Sequence, residues 1–435
     1  MPTPIRDAPS RLVLAFAFLT SPLMKIKSAL ASLCFVSFSI ITSDAAVWLG
    51  SNGNYTTAGN WTPSGNPSAT TVVEINAGNA TYGGNLTRSA NTVISGSGTL
   101  TINGTGRMVN GSGGAAAISV SGTGGINQNG EYFIVSTNNT GSVTQTGGTV
   151  QSTVSRGWFM SDAAGSSGTY TLSGGALNVS TSGSNSTNSA YAVHIGKNSG
   201  NDLLHINGGT ATFTATTTDT RAYISKGAEM RIDSGSATFN NFRFFIVGRD
   251  ADVGSTSDLA VNGGSLSLTG LAANGAFVVG GRNDGRVTLN DGSITVSGAA
   301  MWLGDAEASS TTTINGSFLQ NGGEMTVPTG IILSRALNST GSYVMTDGIL
   351  NTSAITIGAG SNPLFDFLGG DIYLTGDQRS ILGQSWFREV EDTVATYDSI
   401  SDKTHIYVVP EPGSLILAAA AAGLGVLRRR RKFEA

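Results

Sequence analysis

The sequence predicts an all-β fold: a right-handed parallel β-helix (solenoid), preceded by an N-terminal signal peptide and followed by a C-terminal hydrophobic helix. Three observations predict it. A unit built on a glycine corner recurs through the middle of the chain, apolar residues alternate with polar ones on both sides of each corner, and each chain end carries an uncharged apolar segment beside cations.

The repeat emerges when stretches of sequence are aligned. Tyr170-Thr-Leu-Ser-Gly-Gly-Ala-Leu-Asn-Val, Leu204-His-Ile-Asn-Gly-Gly-Thr-Ala-Thr-Phe and Leu259-Ala-Val-Asn-Gly-Gly-Ser-Leu-Ser-Leu are copies of one unit. The corner glycines are Gly148, Gly175, Gly209, Gly235, Gly264, Gly292, Gly323, Gly348 and Gly370, at successive spacings of 27, 34, 26, 29, 28, 31, 25 and 22 residues. Alternation of period two is the pattern of half-buried strands, and glycine supplies the backbone freedom a tight corner requires. A third strand follows in most units and ends on a glycine, as in Val193-His-Ile-Gly196, Phe245-Ile-Val-Gly248, Phe277-Val-Val-Gly280 and Met301-Trp-Leu-Gly304. Three short strands per unit match one coil, so residues 141–376 are read as stacked coils that bury each apolar column against the next.

The position before the corner is Ser173, Asn207, Asp233, Asn262, Asn290, Asn321 and Thr346 in successive units. Side-chain amides stacked in register can hydrogen-bond along the column. The alternative is that Asn merely favours turns.

Residues 46–140 continue the pattern less regularly and are read as an N-terminal repeat and capping region. Val47-Trp-Leu-Gly-Ser, Tyr55, Asn60-Trp-Thr-Pro and Thr71-Val-Val-Glu-Ile resemble the start of autotransporter-associated β-strand repeat proteins; the resemblance implies that Trp48 and Trp61 help cover the first coil. A plain β-sandwich start is the alternative. Residues 377–408, where the glycine rhythm stops and charges gather at Arg388-Glu-Val-Glu-Asp, are read as a C-terminal cap or linker.

The two ends prescribe a route. Residues 1–45 read as a secretory signal, with Met24-Lys-Ile-Lys as a cationic start, an apolar stretch over residues 29–41 and small residues at the cut, after Ala45 or Ala46. Met24 is an alternative start of the chain. At the other end, Val409-Pro410-Glu411-Pro412 is followed by an apolar run to Leu427 and by the basic stop Arg428, Arg429, Arg430, Arg431 and Lys432. The prolines hold the motif extended, the uncharged run can enter a bilayer as a helix, and the cations prefer the cytoplasmic side. Residues 413–427 would span roughly 22 Å against about 30 Å of hydrocarbon, which suits a transient anchor.

Residues 409–435 resemble the PEP-CTERM sorting signal of Gram-negative bacteria. The resemblance implies recognition by an exosortase-type membrane protease near Glu411, passage through the inner membrane, and delivery to the cell surface or an extracellular matrix. An ordinary single-span anchor is the alternative.

Composition narrows the function classes. The only cysteine, Cys34, lies within the signal, so the exported chain has neither disulfide nor thiolate chemistry. Between Ala46 and Pro412 there are 15 Lys and Arg against 25 Asp and Glu, a net charge of 15 minus 25, or −10, which argues against a nucleic-acid partner.

Catalytic constellations are sparse. Acids such as Asp202, Asp219, Asp284, Asp366 and Asp371 fall singly in separate loops. Asp250 and Asp252, with Asp305 and Glu307 in the equivalent loop two units on, are weak calcium candidates, and the sequence calls for no metal and no cofactor. His205 is expected to point to solvent, and neither His194 nor His405 has a visible partner. The expected function is that of an exported structural or adhesive protein that meets exopolysaccharide through hydroxyl-rich faces. The alternative is a secreted β-helix polysaccharide lyase or hydrolase.

Overall fold

The computed structural model describes residues 45–182, 192–198, 200–249, 255–272, 274–305 and 313–409. The signal segment through residue 44, Met24 included, and the tail from Pro410 lie outside the described residues. The body is a β-solenoid of about 12 turns without an α-helix among the described residues. Among the described residues no helix is long and apolar enough to cross a membrane.

Each coil contributes strands to three parallel sheets. In the first, Thr140–Gln145 pairs with Ser167–Leu172, which pairs with the start of Leu203–Ala215, all parallel and in register. The second sheet stacks Ala176–Thr181, the end of Leu203–Ala215 and the end of Glu229–Asn240. Ala192–Ile195, Arg221–Ser225, Phe244–Arg249, Ala276–Val279 and Ala300–Leu303 stack in the third.

Parallel register turns the alternating pattern into columns. Val143, Tyr170, Leu204, Met230, Leu259, Val287, Phe318, Tyr343, Phe365 and Phe387 follow one another inside the first sheet, almost wholly shielded from solvent. The last four rings stack at centroid spacings of 4.6, 4.7 and 5.2 Å, within the usual range for offset aromatic pairs. One continuous core runs through the stack from Ala46 to Ile406.

At the corners the glycines form a column of their own. Gly264 has φ +70°, and a Cβ there would sit 2.4 Å from the carbonyl oxygen of Gly235 in the preceding coil. Gly292 repeats this against Gly264 at 2.2 Å, and Gly175, Gly209, Gly235 and Gly323 stand in the same relation to their predecessors. Positive φ and backbone contact together leave room only for glycine.

The two ends of the stack depart from the parallel pattern. At the first coil, Ala46–Trp48 pairs antiparallel with Trp61–Thr62, and the Trp48 and Trp61 rings meet edge to face at 4.9 Å. Arg88, buried there, donates to the Ser68 carbonyl at 2.9 Å, to the Thr71 carbonyl and to the Tyr55 hydroxyl at 3.3 Å. At the last coil, Asp371–Thr375 receives Lys403–Val408 antiparallel, and this strand pairs antiparallel with Thr393–Asp398.

Candidate functional site

The outer face of the first sheet carries the polar ladder. Asn262 Nδ2 donates to Asp233 Oδ1 at 2.7 Å, Asn290 Nδ2 to Asn262 Oδ1 at 2.7 Å, and Asn321 Nδ2 to Asn290 Oδ1 at 2.8 Å. Thr346 Oγ1 closes the series on Asn321 Oδ1 at 3.2 Å. Register brings each amide to the carbonyl side of the one before it, so the column is bonded along the axis rather than only turning the chain.

Histidine placement differs in part from the sequence expectation. His205 lies outward, but Asp233 of the next coil holds it, at 2.7 Å from Nε2. His405, for which no partner was visible, sits 2.7 Å from Asp371 Oδ1 and between the rings of Tyr373 and Tyr407. Antiparallel pairing in the closing hairpin causes this, because it sets His405 opposite Tyr373 and near Asp371. His194 is fully buried, packs edge to face on Tyr223 at 4.4 Å, and neither ring nitrogen has a hydrogen-bond partner. Burial, reinforced by the charges of Lys197 and Arg249, drives its pKa well below the usual histidine value.

The third sheet is apolar on both faces. Its outward column runs Val109, Ile134, Phe159, His194, Tyr223, Ile246, Val278, Trp302 and Ile332, over about 40 Å at the usual strand spacing. Cations lie over this stripe. The Lys197 ammonium stands 4.2 Å from the Phe159 centroid, Arg249 is 5.1 Å from Tyr223, Arg221 and Arg243 each 5.2 Å from Phe244, and Arg335 3.7 Å from Trp302. Between residues 221 and 335 the stripe sinks into a groove of about 400 Å³. Arg221, Arg243, Arg249, Arg282 and Arg335 line it with Phe244 and Trp302. Arg243 Nη1 pairs with Asp219 at 2.5 Å, and Arg335 pairs with Asp305.

Sequence reading overlooked this groove. Its signal was Phe244-Phe-Ile-Val and Ala276-Phe-Val-Val, apolar at consecutive positions where the other strands alternate.

The remaining predicted site residues separate into described and undescribed. Asp305 is buried and held by Arg335. Its calcium co-candidates Asp250, Asp252 and Glu307 lie outside the described residues. Ala46 opens the first strand and donates its N–H to the Val72 carbonyl at 2.8 Å, so a cut after Ala45 leaves that strand whole. Val409 is the last described residue, and its N–H donates to the Asp392 carbonyl at 3.0 Å. Pro410, Glu411 and Pro412, and the cations from Arg428 to Lys432, lie beyond it.

A cysteine-free β-solenoid ending in a hairpin that leads straight into an apolar, basic-ended tail defines the class: a repeat protein with a C-terminal sorting handle. Residues 408–432 match the PEP-CTERM protein-sorting motif. The motif identifies an exported protein that is processed by an exosortase, a membrane protein, and is transiently membrane-associated during sorting. No curated protein and no solved structure matches the chain.

Proposed function

We propose that this protein is a structural or adhesive component of the cell surface or extracellular matrix, and that its lateral faces contact exopolysaccharide. The observation that carries the reading is the conjunction of the PEP-CTERM motif with a β-solenoid body. A stack of coils offers long flat faces and needs no globular centre. In this reading Val409 to Pro412 are read by the protease, the five cations hold the tail on the cytoplasmic side, and residues 377–408 cap the stack. The chain acts without catalysis, and in this reading Asp250, Asp252, Asp305 and Glu307 form no calcium site.

Mass spectrometry of the C-terminus of the protein recovered from the cell surface tests the route. An end near Pro412 is expected. An intact Arg428 to Lys432 in an inner-membrane fraction would overturn the sorting reading. Glycan turnover that is lost in Asp250→Ala or Asp305→Ala would replace the structural reading with the lyase or hydrolase alternative.

A further inference from the structure

We infer that a cavity on the closing hairpin binds a single neutral pyranose unit of a glycan. The inference rests on the reading of the body as a polysaccharide-contacting surface protein, and names the sugar chemistry and the site. Topology makes the cavity. Elsewhere the second sheet is a stack of parallel strands, but at its end Asp371–Thr375 is followed by the two antiparallel strands of the hairpin. Register sets Asn351, Tyr373, His405 and Thr396 abreast in one row across four strands. Beside that row the hairpin turns between Asp398 and Lys403, and row and turn together line a space of about 380 Å³. That volume suits a small ligand.

Rings supply the apolar part of the lining. Tyr373 lies on His405 with centroids 4.5 Å and planes 9° apart, and His405 lies on Tyr407 at 4.6 Å. The Asp371 carboxylate, 2.7 Å from His405 Nε2, holds the middle ring of the three. Tyr373 and His405 line the cavity, so their ring surface is positioned before a ligand arrives. The C–H face of a pyranose is apolar and flat and packs on such a ring, whereas a small inorganic ion gains nothing from it.

Uncommitted polar groups supply the rest. The Lys403 ammonium makes no ion pair and no hydrogen bond among the described residues, and stands 6.0 Å from the Tyr373 centroid. The Thr396 hydroxyl is likewise without a partner there. Asn351 spends an amide N–H on Glu324 Oε1 at 2.9 Å, which leaves its carbonyl oxygen as an acceptor. Asp398 accepts the Ile400 N–H at 2.9 Å on one carboxylate oxygen and the Ser401 hydroxyl at 2.7 Å on the other, and each oxygen can accept once more. Donors and acceptors therefore share one small space, which suits vicinal hydroxyls, since each of these both donates and accepts. One ammonium and one carboxylate line it, so the lining does not select an anion.

Saturation-transfer NMR on the full chain in a sugar-free detergent measures binding, with the methyl glycosides of glucose, galactose and N-acetylglucosamine as neutral probes. Galacturonate and glycine are the anionic and zwitterionic ones. At least one neutral glycoside is expected to bind, and more tightly than galacturonate or glycine. Tyr373→Ala and Lys403→Gln are each expected to weaken it at least about ten-fold, and Tyr373→Phe, which keeps the ring, to retain it. The exposed Lys403 side chain bonds to nothing in the fold, so Lys403→Gln should leave the melting temperature unchanged and tests the site even if Tyr373→Ala unseats the hairpin. Arg286→Gln, on the first sheet and paired to Asp258, is expected to leave binding unchanged. No binding of any neutral glycoside, equal binding of galacturonate or glycine, or full binding in Lys403→Gln would overturn the assignment. The measurement reads neither the C-terminus nor glycan turnover, so it can fail while the surface reading stands, and the reverse holds too.

Discussion

Gln145 and Gln320 show how a solenoid core accommodates polar side chains. Each is fully buried, accepts the hydroxyl of a tyrosine in the next coil at 2.6 Å (Tyr170 and Tyr343), and donates its amide to two carbonyls near the corner. With every donor met, the pair joins adjacent coils at little desolvation cost. Asp202 is a related clamp: its carboxylate accepts from Ser161 Oγ, from the Gly168 N–H at 2.6 Å and from the Gly196 N–H at 3.0 Å. Burial outweighs those three donors and pushes its pKa up to about 6 from the usual 3.8. Because the folded protein then binds this proton more tightly than the unfolded chain, Asp202 makes stability fall as pH rises from about 4 to about 6, by on the order of 2–3 kcal/mol. Urea unfolding of the wild type and Asp202→Asn across that range checks this. The variant is expected to lose the slope, and an identical slope in both proteins would remove Asp202 as its source.

At the scale of the element, the glycine column and the amide ladder were legible because each occupies one repeating position, glycine in the first and short polar side chains, Asn above all, in the second. Glycine at a corner and Asn before it survive as letters even when the loops between them vary in length. The stripe on the third sheet was not legible in the same way. The outward positions there are Tyr223, Ile246, Val278 and Trp302, which share no residue type, and their cations arrive from neighbouring coils and flanking turns. The His405 and Asp371 pair escaped for another reason: antiparallel closure joins residues 34 apart that a purely parallel reading would keep separate. The glycine column also yields a direct test. Gly264→Ala must place a Cβ at φ +70° and 2.4 Å from a carbonyl oxygen, so a loss of at least about 2 kcal/mol is expected in denaturant titration. An unchanged midpoint would mean that the coils can separate locally, which close stacking does not allow.

Across the whole molecule, the problem a stack of parallel strands must solve is its own end, where unpaired N–H and C=O groups could template another chain. The hairpin of residues 393–408 meets the last parallel strand of the second sheet, Asp371–Thr375, in reversed direction, with Ile406 buried against Ile372. Ile406→Asp is expected to unseat the hairpin and expose the edge of Asp371–Thr375. Size-exclusion chromatography should then show concentration-dependent oligomers; a monomer with unchanged melting would show that the hairpin is not what protects the edge. The same hairpin has a second effect, through the bond from Val409 to the Asp392 carbonyl. The chain is fastened to the finished stack at Val409, the residue immediately before Pro410. Because this last described residue is already part of the fold, a cut on its C-terminal side leaves the closing hairpin whole.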